Sequence, residues 1–303
     1  MKIFLNSPNE NWIVDRFVEE WNDYNTAITS KSIRASDIVW IISPWTWSKL
    51  SKKQLKKKKV LVTIHHIDEK KFDIEDFKNL DQYVNFYHVI SKLTESKLEK
   101  LTDKKIYYSP FWVSPKKWFT LQNKKIIRKK YNVANDEYLI GSFQRDTEMD
   151  LISPKLEKGP DNLLEILLEY KSSKKNLRVI LAGNRRDYIV NKLIEHKIKY
   201  SYFNMISLKE LNELYNILNL YIVSSRVEGG PQAIVECALT KTPLISTNVG
   251  IASEILHPDS IFDMNNFTSA LPNIDHAYNK AKKFIIPKGF ETFIKTMEEI
   301  HES

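Results

Sequence analysis

Short apolar runs alternate with helix-like stretches along this 303-residue chain, and that alternation limits what it can fold into. Lys2–Leu5, Ile38–Ile42, Val60–Ile64, Tyr87–Ile90 and Lys105–Tyr108 read as strands, with helical patterns such as Trp12–Tyr24 and Thr94–Leu101 between them. A strand–helix repeat of this kind builds a mostly parallel sheet. Ser109-Pro-Phe-Trp-Val-Ser-Pro115 interrupts it with two prolines, which places an interdomain linker at about 109–122. The pattern then resumes. A helix is expected near Lys124–Tyr131, and strands at Tyr138–Ser142, Leu177–Ala182, Tyr200–Phe203, Leu220–Ser224, Pro243–Ser246 and Ser260–Phe262. Helices at Asp161–Tyr170 and Leu208–Leu218 lie between them, and Pro287–His301 reads as a last helix. The length suits two α/β domains, and 42% apolar residues suffice for their cores.

Only seven glycines occur, so the pair in Ser225–Lys241 (SRVEGGPQAIVECALTK) stands out. It follows one apolar strand and precedes another. Pro231 suits the first turn of a helix, where a missing N–H costs nothing. Gly229 and Gly230 leave backbone amides uncovered and tolerate unusual dihedrals. A helix start with exposed amides attracts anions, phosphate above all. Glu228 falls at the strand's C-terminal end, where open α/β sheets bind ligands. Glu236 lies inside the helix and outside the apolar stripe of Ile234, Val235, Ala238 and Leu239, placed to accept two vicinal hydroxyls. The eight-residue interval is not diagnostic by itself, because Glu157/Glu165 and Glu291/Glu299 repeat it. The plainer readings are a helix-start acid at Glu228 and a solvated charge at Glu236.

This segment, continued as EGGPQAIVECALTKTPLIS, resembles the donor-site signature of retaining glycosyltransferases of family 4. The resemblance covers most of the C-terminal half and is weaker in the N-terminal half. It implies the GT-B fold: two Rossmann-like domains whose parallel sheets face a central cleft. The domains would be 1–120, completed by a helix at 287–303 that crosses back, and 121–286. It implies a sugar carried from a nucleoside diphosphate donor to an acceptor hydroxyl, with Glu228, Gly229, Gly230 and Pro231 at the donor sugar and Glu236 at the ribose. The family's diphosphate-binding Arg and Lys match Arg145 and Lys158, although residues 146 to about 155 lengthen the usual interval. His65, after the strand ending at Ile64, matches a histidine facing the donor sugar better than His66 does. In place of the family's first glycine-rich loop stands Asn6-Ser-Pro-Asn-Glu-Asn-Trp12, so Asn6, Ser7 or Asn9 are candidates for touching the acceptor. Thr247-Asn-Val-Gly250 carries one glycine where relatives often have two.

Other chemistry is poorly supported. Without an Asp-x-Asp motif or a Cys/His cluster, no metal and no cofactor beyond the donor itself is expected. Neither a Gly-x-Ser-x-Gly elbow nor a phosphate-loop lysine signature is present. The single cysteine, Cys237, reads as a small buried apolar residue and fits a reducing compartment. The start lacks the apolar core of a signal peptide, so a cytoplasmic protein is expected, peripheral on a membrane at most. Net charge is +8, with Lys49, Lys52, Lys53 and Lys56–Lys59 close to Trp45 and Trp47. That run suits an anionic membrane surface or a solvated face; no nucleic-acid motif accompanies it. The expected partners are a nucleotide-sugar donor and a glycan or lipid-linked acceptor, in polysaccharide, lipopolysaccharide or other glycoconjugate synthesis. The rival readings are a nucleotide-sugar epimerase or phosphorylase on the same scaffold, or a non-catalytic basic membrane- or nucleic-acid-binding protein.

Overall fold

The computed structural model describes residues 1–10 and 13–303, so Asn11 and Trp12 lie outside the described residues. The chain forms two compact units, Met1–Trp112 with Pro287–Ser303, and Val113–Ile286.

The first unit holds a five-stranded parallel sheet of β1 (Ile3–Leu5), β2 (Ile38–Ile41), β3 (Lys59–Ile64), β4 (Phe86–Val89) and β5 (Ile106–Tyr108), in sequence order. Because the order never reverses, this sheet has no switch point to open a crevice at its strand ends. One face buries Val39, Ile41, Val60, Val62, Tyr87 and Val89 against Phe77, Leu80 and Leu98 of flanking helices. The other face is aromatic. Trp21 of the Ile13–Tyr24 helix meets Trp40 edge-on at 5.3 Å, and Phe293 of the Glu291–Glu302 helix stacks on Trp40 at 5.4 Å.

A buried polar chain crosses that aromatic face. The Trp40 Nε1–H donates to Thr63 Oγ1 at 2.8 Å, and Thr63 Oγ1 lies 3.0 Å from His88 Nδ1. His88 Nε2 lies 2.8 Å from the Ser109 carbonyl, which only accepts, so Nε2 carries the proton. His65 is fixed likewise, with Nε2 donating to the Ile42 carbonyl at 2.7 Å. Burial holds His65 down to about 4 and His88 to about 3, against an opposing pull from each carbonyl. Both imidazoles are therefore neutral near pH 7. As pH falls below about 6.5 the unfolded chain takes up these protons first, and each histidine then removes about 1.4 kcal/mol of stability per pH unit. Urea unfolding at pH 7, 6 and 5 should show a loss of about 2 kcal/mol between pH 6 and 5, and His88→Gln should roughly halve that slope. An unchanged slope in the variant would show that His88 does not carry it.

Two expectations for this unit need correction. Asn6 is not available to an acceptor: it is buried, donates through Nδ2 to the Ser43 carbonyl (3.1 Å) and Thr46 Oγ1 (2.8 Å), and accepts from the Ser43 amide. Ser7 Oγ is likewise committed, 2.5 Å from Asp15, which also caps the Asn9 and Glu10 amides. The lysine run is not one solvated helix either. It spans a short helix at Lys52–Leu55 and the start of β3, and Lys58 and Lys59 donate to the carbonyls of Arg34 and His301. Among the described residues, no helix is long and apolar enough to cross a membrane.

The second unit holds a six-stranded parallel sheet: β6 (Tyr138–Ser142), β7 (Leu177–Ala182), β8 (Lys199–Phe203), β9 (Leu220–Val223), β10 (Leu244–Thr247) and β11 (Ile261–Phe262), in the spatial order β11-β10-β9-β6-β7-β8. The chain runs outward from β6 to β8, then returns to β9 on the other side of β6. The reversal lies between β6 and β9, which pair through Ile140 with Leu220 and Gly141 with Tyr221. Loops leaving the C-terminal ends of those two strands diverge there, and ligands of open α/β sheets bind at such points.

Candidate donor site

The site is built from the segments that follow β6 and β9, joined by a third that returns between them. After β6 the chain runs through Gln144, Arg145 and Asp146 into a hairpin. Thr147 bridges Pro154 in antiparallel fashion, and the Lys155 amide donates to the Asp146 carbonyl at 2.8 Å. The extra residues are thus a closed excursion, tipped by the exposed Met149 and Ile152, that hands the chain back where it left. Lys158 therefore stands beside Gln144, whose Nε2 donates to the Lys158 carbonyl at 2.7 Å.

Two features bind this returning segment to the one after β9. The Glu157 carbonyl accepts from the amides of Arg226 (2.8 Å) and Val227 (3.1 Å). The Arg226 guanidinium forks onto the Asp161 carboxylate with two contacts of 2.7 Å and reaches Asn162 Oδ1 at 2.8 Å. A forked pair fixes direction as well as distance. Held this way, Lys158 Nζ lies 2.6 Å from Glu228 Oε1, and Ser225 Oγ donates to the same carboxylate oxygen at 3.1 Å. Both charged side chains are mostly shielded, at 22% and 15% exposed. Lys158 and Glu228 come together across 70 residues of chain. Arg145 sits half-buried between Gln144 and Asp146.

Positive φ occurs at other glycines. Gly229 and Gly230 are not among the residues with positive φ. That demand falls on Gly159 (φ 59°), where a Cβ would lie 1.9 Å from the Ser224 carbonyl oxygen, and on Gly250 (φ 52°), where it would lie 2.3 Å from the Gly229 carbonyl oxygen. Gly250 thus packs its backbone against the Gly229–Pro231 turn. Pro231 sits one place earlier than anticipated, as the N-cap of a helix at Gln232–Thr240.

Glu236 also needs correction. The helix has no solvated face there: Ile234 through Thr240 are all buried, and Glu236 is 5% exposed. It accepts a hydrogen bond from the Tyr215 hydroxyl at 2.9 Å. Tyr215 packs against Phe143, and the Phe143 amide donates to the Tyr221 hydroxyl at 2.9 Å, so Glu236 is tied to the segment following β6. Burial and the neighbouring Glu236 carboxylate push the Tyr215 hydroxyl well above its ordinary value, which keeps it a donor. Cys237 is fully buried, and burial pushes its thiol up as well. His65 belongs to the first unit. Among the described residues, no three or more His, Cys, Asp or Glu side chains are grouped to hold a metal ion.

Sequence reasoning missed Gln144, Ser225, Arg226 and Tyr215. Arg226 was legible as part of the quoted segment, but its partners Asp161 and Asn162 lie over 60 residues away. Nothing in the local sequence pairs them.

Comparison with known proteins bears on the fold and the family. An O-antigen biosynthesis glycosyltransferase, WclY of Escherichia coli, is 26% identical over 161 residues; these are 52% of this chain and 42% of that protein. The chain therefore matches less than half the length of that relative. Two solved structures share the fold over nearly all of the chain. HepE of Anabaena, crystallised with UDP and glucose, superposes with a TM-score of 0.74 at 13% identity, covering 99% of this chain and 100% of that one. Sucrose-phosphate synthase of Thermosynechococcus elongatus gives 0.66 at 15% identity, covering 98% and 80%. With two parallel-sheet Rossmann-like units, the fold is that of GT-B glycosyltransferases. The family model for glycosyl transferases group 1 matches residues 123–286, which takes in every element of the site just described, and the chain belongs to that family.

Proposed function

We propose that this chain is a retaining glycosyltransferase of the family 4 type, moving a sugar from a nucleoside diphosphate to an acceptor hydroxyl without a metal ion. The observation that supports the reading is the Lys158–Glu228 contact of 2.6 Å at the strand-order reversal, a cation and a carboxylate side by side. In this scheme Arg145 and Lys158 neutralise the diphosphate as the anomeric C–O bond breaks and negative charge collects on the leaving phosphate. Glu228 and the amides of Gly229 and Gly230 orient the donor sugar, and Glu236, aimed by Tyr215, holds the ribose. The acceptor oxygen attacks the face that the phosphate leaves, and its proton passes to the departing phosphate oxygen. Two protein cations supply the charge that a metal would otherwise supply. The relationship to an O-antigen enzyme supports a glycan or lipid-linked acceptor in surface glycoconjugate synthesis.

The test is release of nucleoside diphosphate from UDP-, GDP- and ADP-sugars, with and without acceptor, in the presence of chelator. One donor should turn over only with acceptor, at a rate the chelator leaves intact. A strict metal requirement would remove the metal-free claim. Release or isomerisation without acceptor would favour an epimerase or phosphorylase.

A further inference from the structure

Beneath the segment that follows β6 lies a charge pair that the proposed reaction does not use. Arg186 and Asp146 are 0% and 1% exposed, with Arg186 Nε 2.6 Å from Asp146 Oδ2 in a charge contact rather than an aligned hydrogen bond. Taking two ions out of water costs several kcal/mol each, and a hydrophobic pair of similar volume is often as stable or more so. Sheet stability is therefore a poor reason for ions at this place.

Their other bonds suggest a better one. The Arg186 guanidinium donates to the Gln144 carbonyl and to Ser142 Oγ (3.3 Å). Asp146 accepts from Thr147 Oγ1 at 2.8 Å through its second oxygen, and Thr147 Oγ1 in turn accepts from the Tyr188 amide at 2.9 Å. The Asp146 and Thr147 amides both donate to the Arg185 carbonyl. Arg145 is thus clamped on each side, by Arg186 on the Gln144 carbonyl and by the fixed Asp146. The same Asp146 supplies the carbonyl that closes the hairpin on Lys155, three residues before Lys158.

We propose that the buried Arg186–Asp146 pair is a positioning device that sets the two diphosphate-binding cations, Arg145 and Lys158, at one fixed separation. This rests on the donor-site reading given above. A hydrophobic pair could fill the space but could not hold the Gln144 carbonyl or fix the carboxylate below Thr147. Pairing spends the charge of Arg186 on Asp146, so its effect on phosphate runs through geometry.

The test is calorimetry on the full chain with whichever of UDP, GDP and ADP the wild type binds most tightly, compared with the matching nucleoside. Arg186→Lys keeps a cation beside Asp146 but loses the forked donation to Gln144 and Ser142. It should lose about tenfold in diphosphate affinity and none in nucleoside affinity, since misplaced donors weaken only the groups they serve. The double variant Arg186→Met/Asp146→Leu, which leaves no unpaired buried charge, should melt close to wild type with the same selective loss. Unchanged diphosphate affinity in a folded variant overturns the proposal, as does an equal loss for nucleoside and diphosphate. If both variants unfold, the pair supports the sheet as a whole and the proposal also falls. A wild-type chain that binds none of the three nucleotides sinks the donor-site reading itself. Wild-type binding with unmoved variants sinks only the positioning role.

Discussion

Glu228→Ala should abolish sugar transfer while the protein remains folded. The carboxylate is within 2.6 Å of Lys158 Nζ and 3.1 Å of Ser225 Oγ, and it precedes the Gly229–Pro231 turn. In the proposed scheme its loss removes the group that orients the donor sugar, and it frees the lysine to swing. Removing one preorganised electrostatic contact at a reacting centre costs about 100- to 1000-fold in turnover. Removing the partner that aims a second such group pushes the loss to the upper end of that range. The stability cost is small by comparison. A partly exposed ion pair contributes about 1 kcal/mol or less, or roughly 2–4 °C in melting temperature for a unit of this size. Initial rates of nucleoside diphosphate release, read beside a thermal melt, separate the two effects. Glu228→Asp keeps the charge on a shorter arm and should retain a few per cent of activity. Full activity in Glu228→Ala would refute its role. A collapse of the melt would show that the residue holds the loop.

Much of this arrangement is legible in the sequence, and the reason is local. Strand-length apolar runs such as Tyr138–Ser142 and Leu177–Ala182 lie between turn signals, and both form strands over the same residues. The Glu228–Glu236 segment carries its own strand, turn and helix. What the sequence hides is long-range. The eight-residue spacing of Glu228 and Glu236 does not tell that one meets Lys158 and the other Tyr215. A helix wheel predicts a solvated face for Glu236 because it assumes one buried side, whereas this helix is buried all round. Residues 146–155 look like a break in the phosphate-binding pattern. Only the bridge from Thr147 to Pro154 shows that the break closes on itself. Arg186 lies in Asn184-Arg-Arg-Asp187, where nothing local distinguishes it from Arg185. The glycine pair draws the eye, but the left-handed glycines crowded by a carbonyl from a distant segment are Gly159 and Gly250.

Gly159 yields the other large effect. It follows Lys158 directly, caps the Pro160–Ser173 helix at φ 59°, and packs its backbone against the carbonyl of Ser224, the residue after β9. Gly159→Ala asks for two things at once. An L-residue in the left-handed region costs about 1–2 kcal/mol. The new Cβ, 1.9 Å from the Ser224 oxygen, must also move well over an ångström to reach van der Waals distance. Backbone lies on both sides of that contact, so the segments after β6 and β9 must part, and Lys158 is drawn away from Glu228. A shift of about 1 Å at a reacting centre can cost about 100-fold in rate. The expectation is a melting temperature several degrees lower and transfer reduced about 100-fold or more, with nucleoside diphosphate affinity falling too. Gly183→Ala is the control. It too has positive φ, at 89°, but its Cβ would meet nothing nearer than the Phe143 carbonyl oxygen at 3.7 Å. It should therefore lose comparable stability from backbone strain and keep its transfer rate at a temperature where both variants are folded. If Gly159→Ala also transferred sugar at the wild-type rate, the close approach of Lys158 to Glu228 would not be what the reaction needs, and the assignment of the site to these two segments would fail with it.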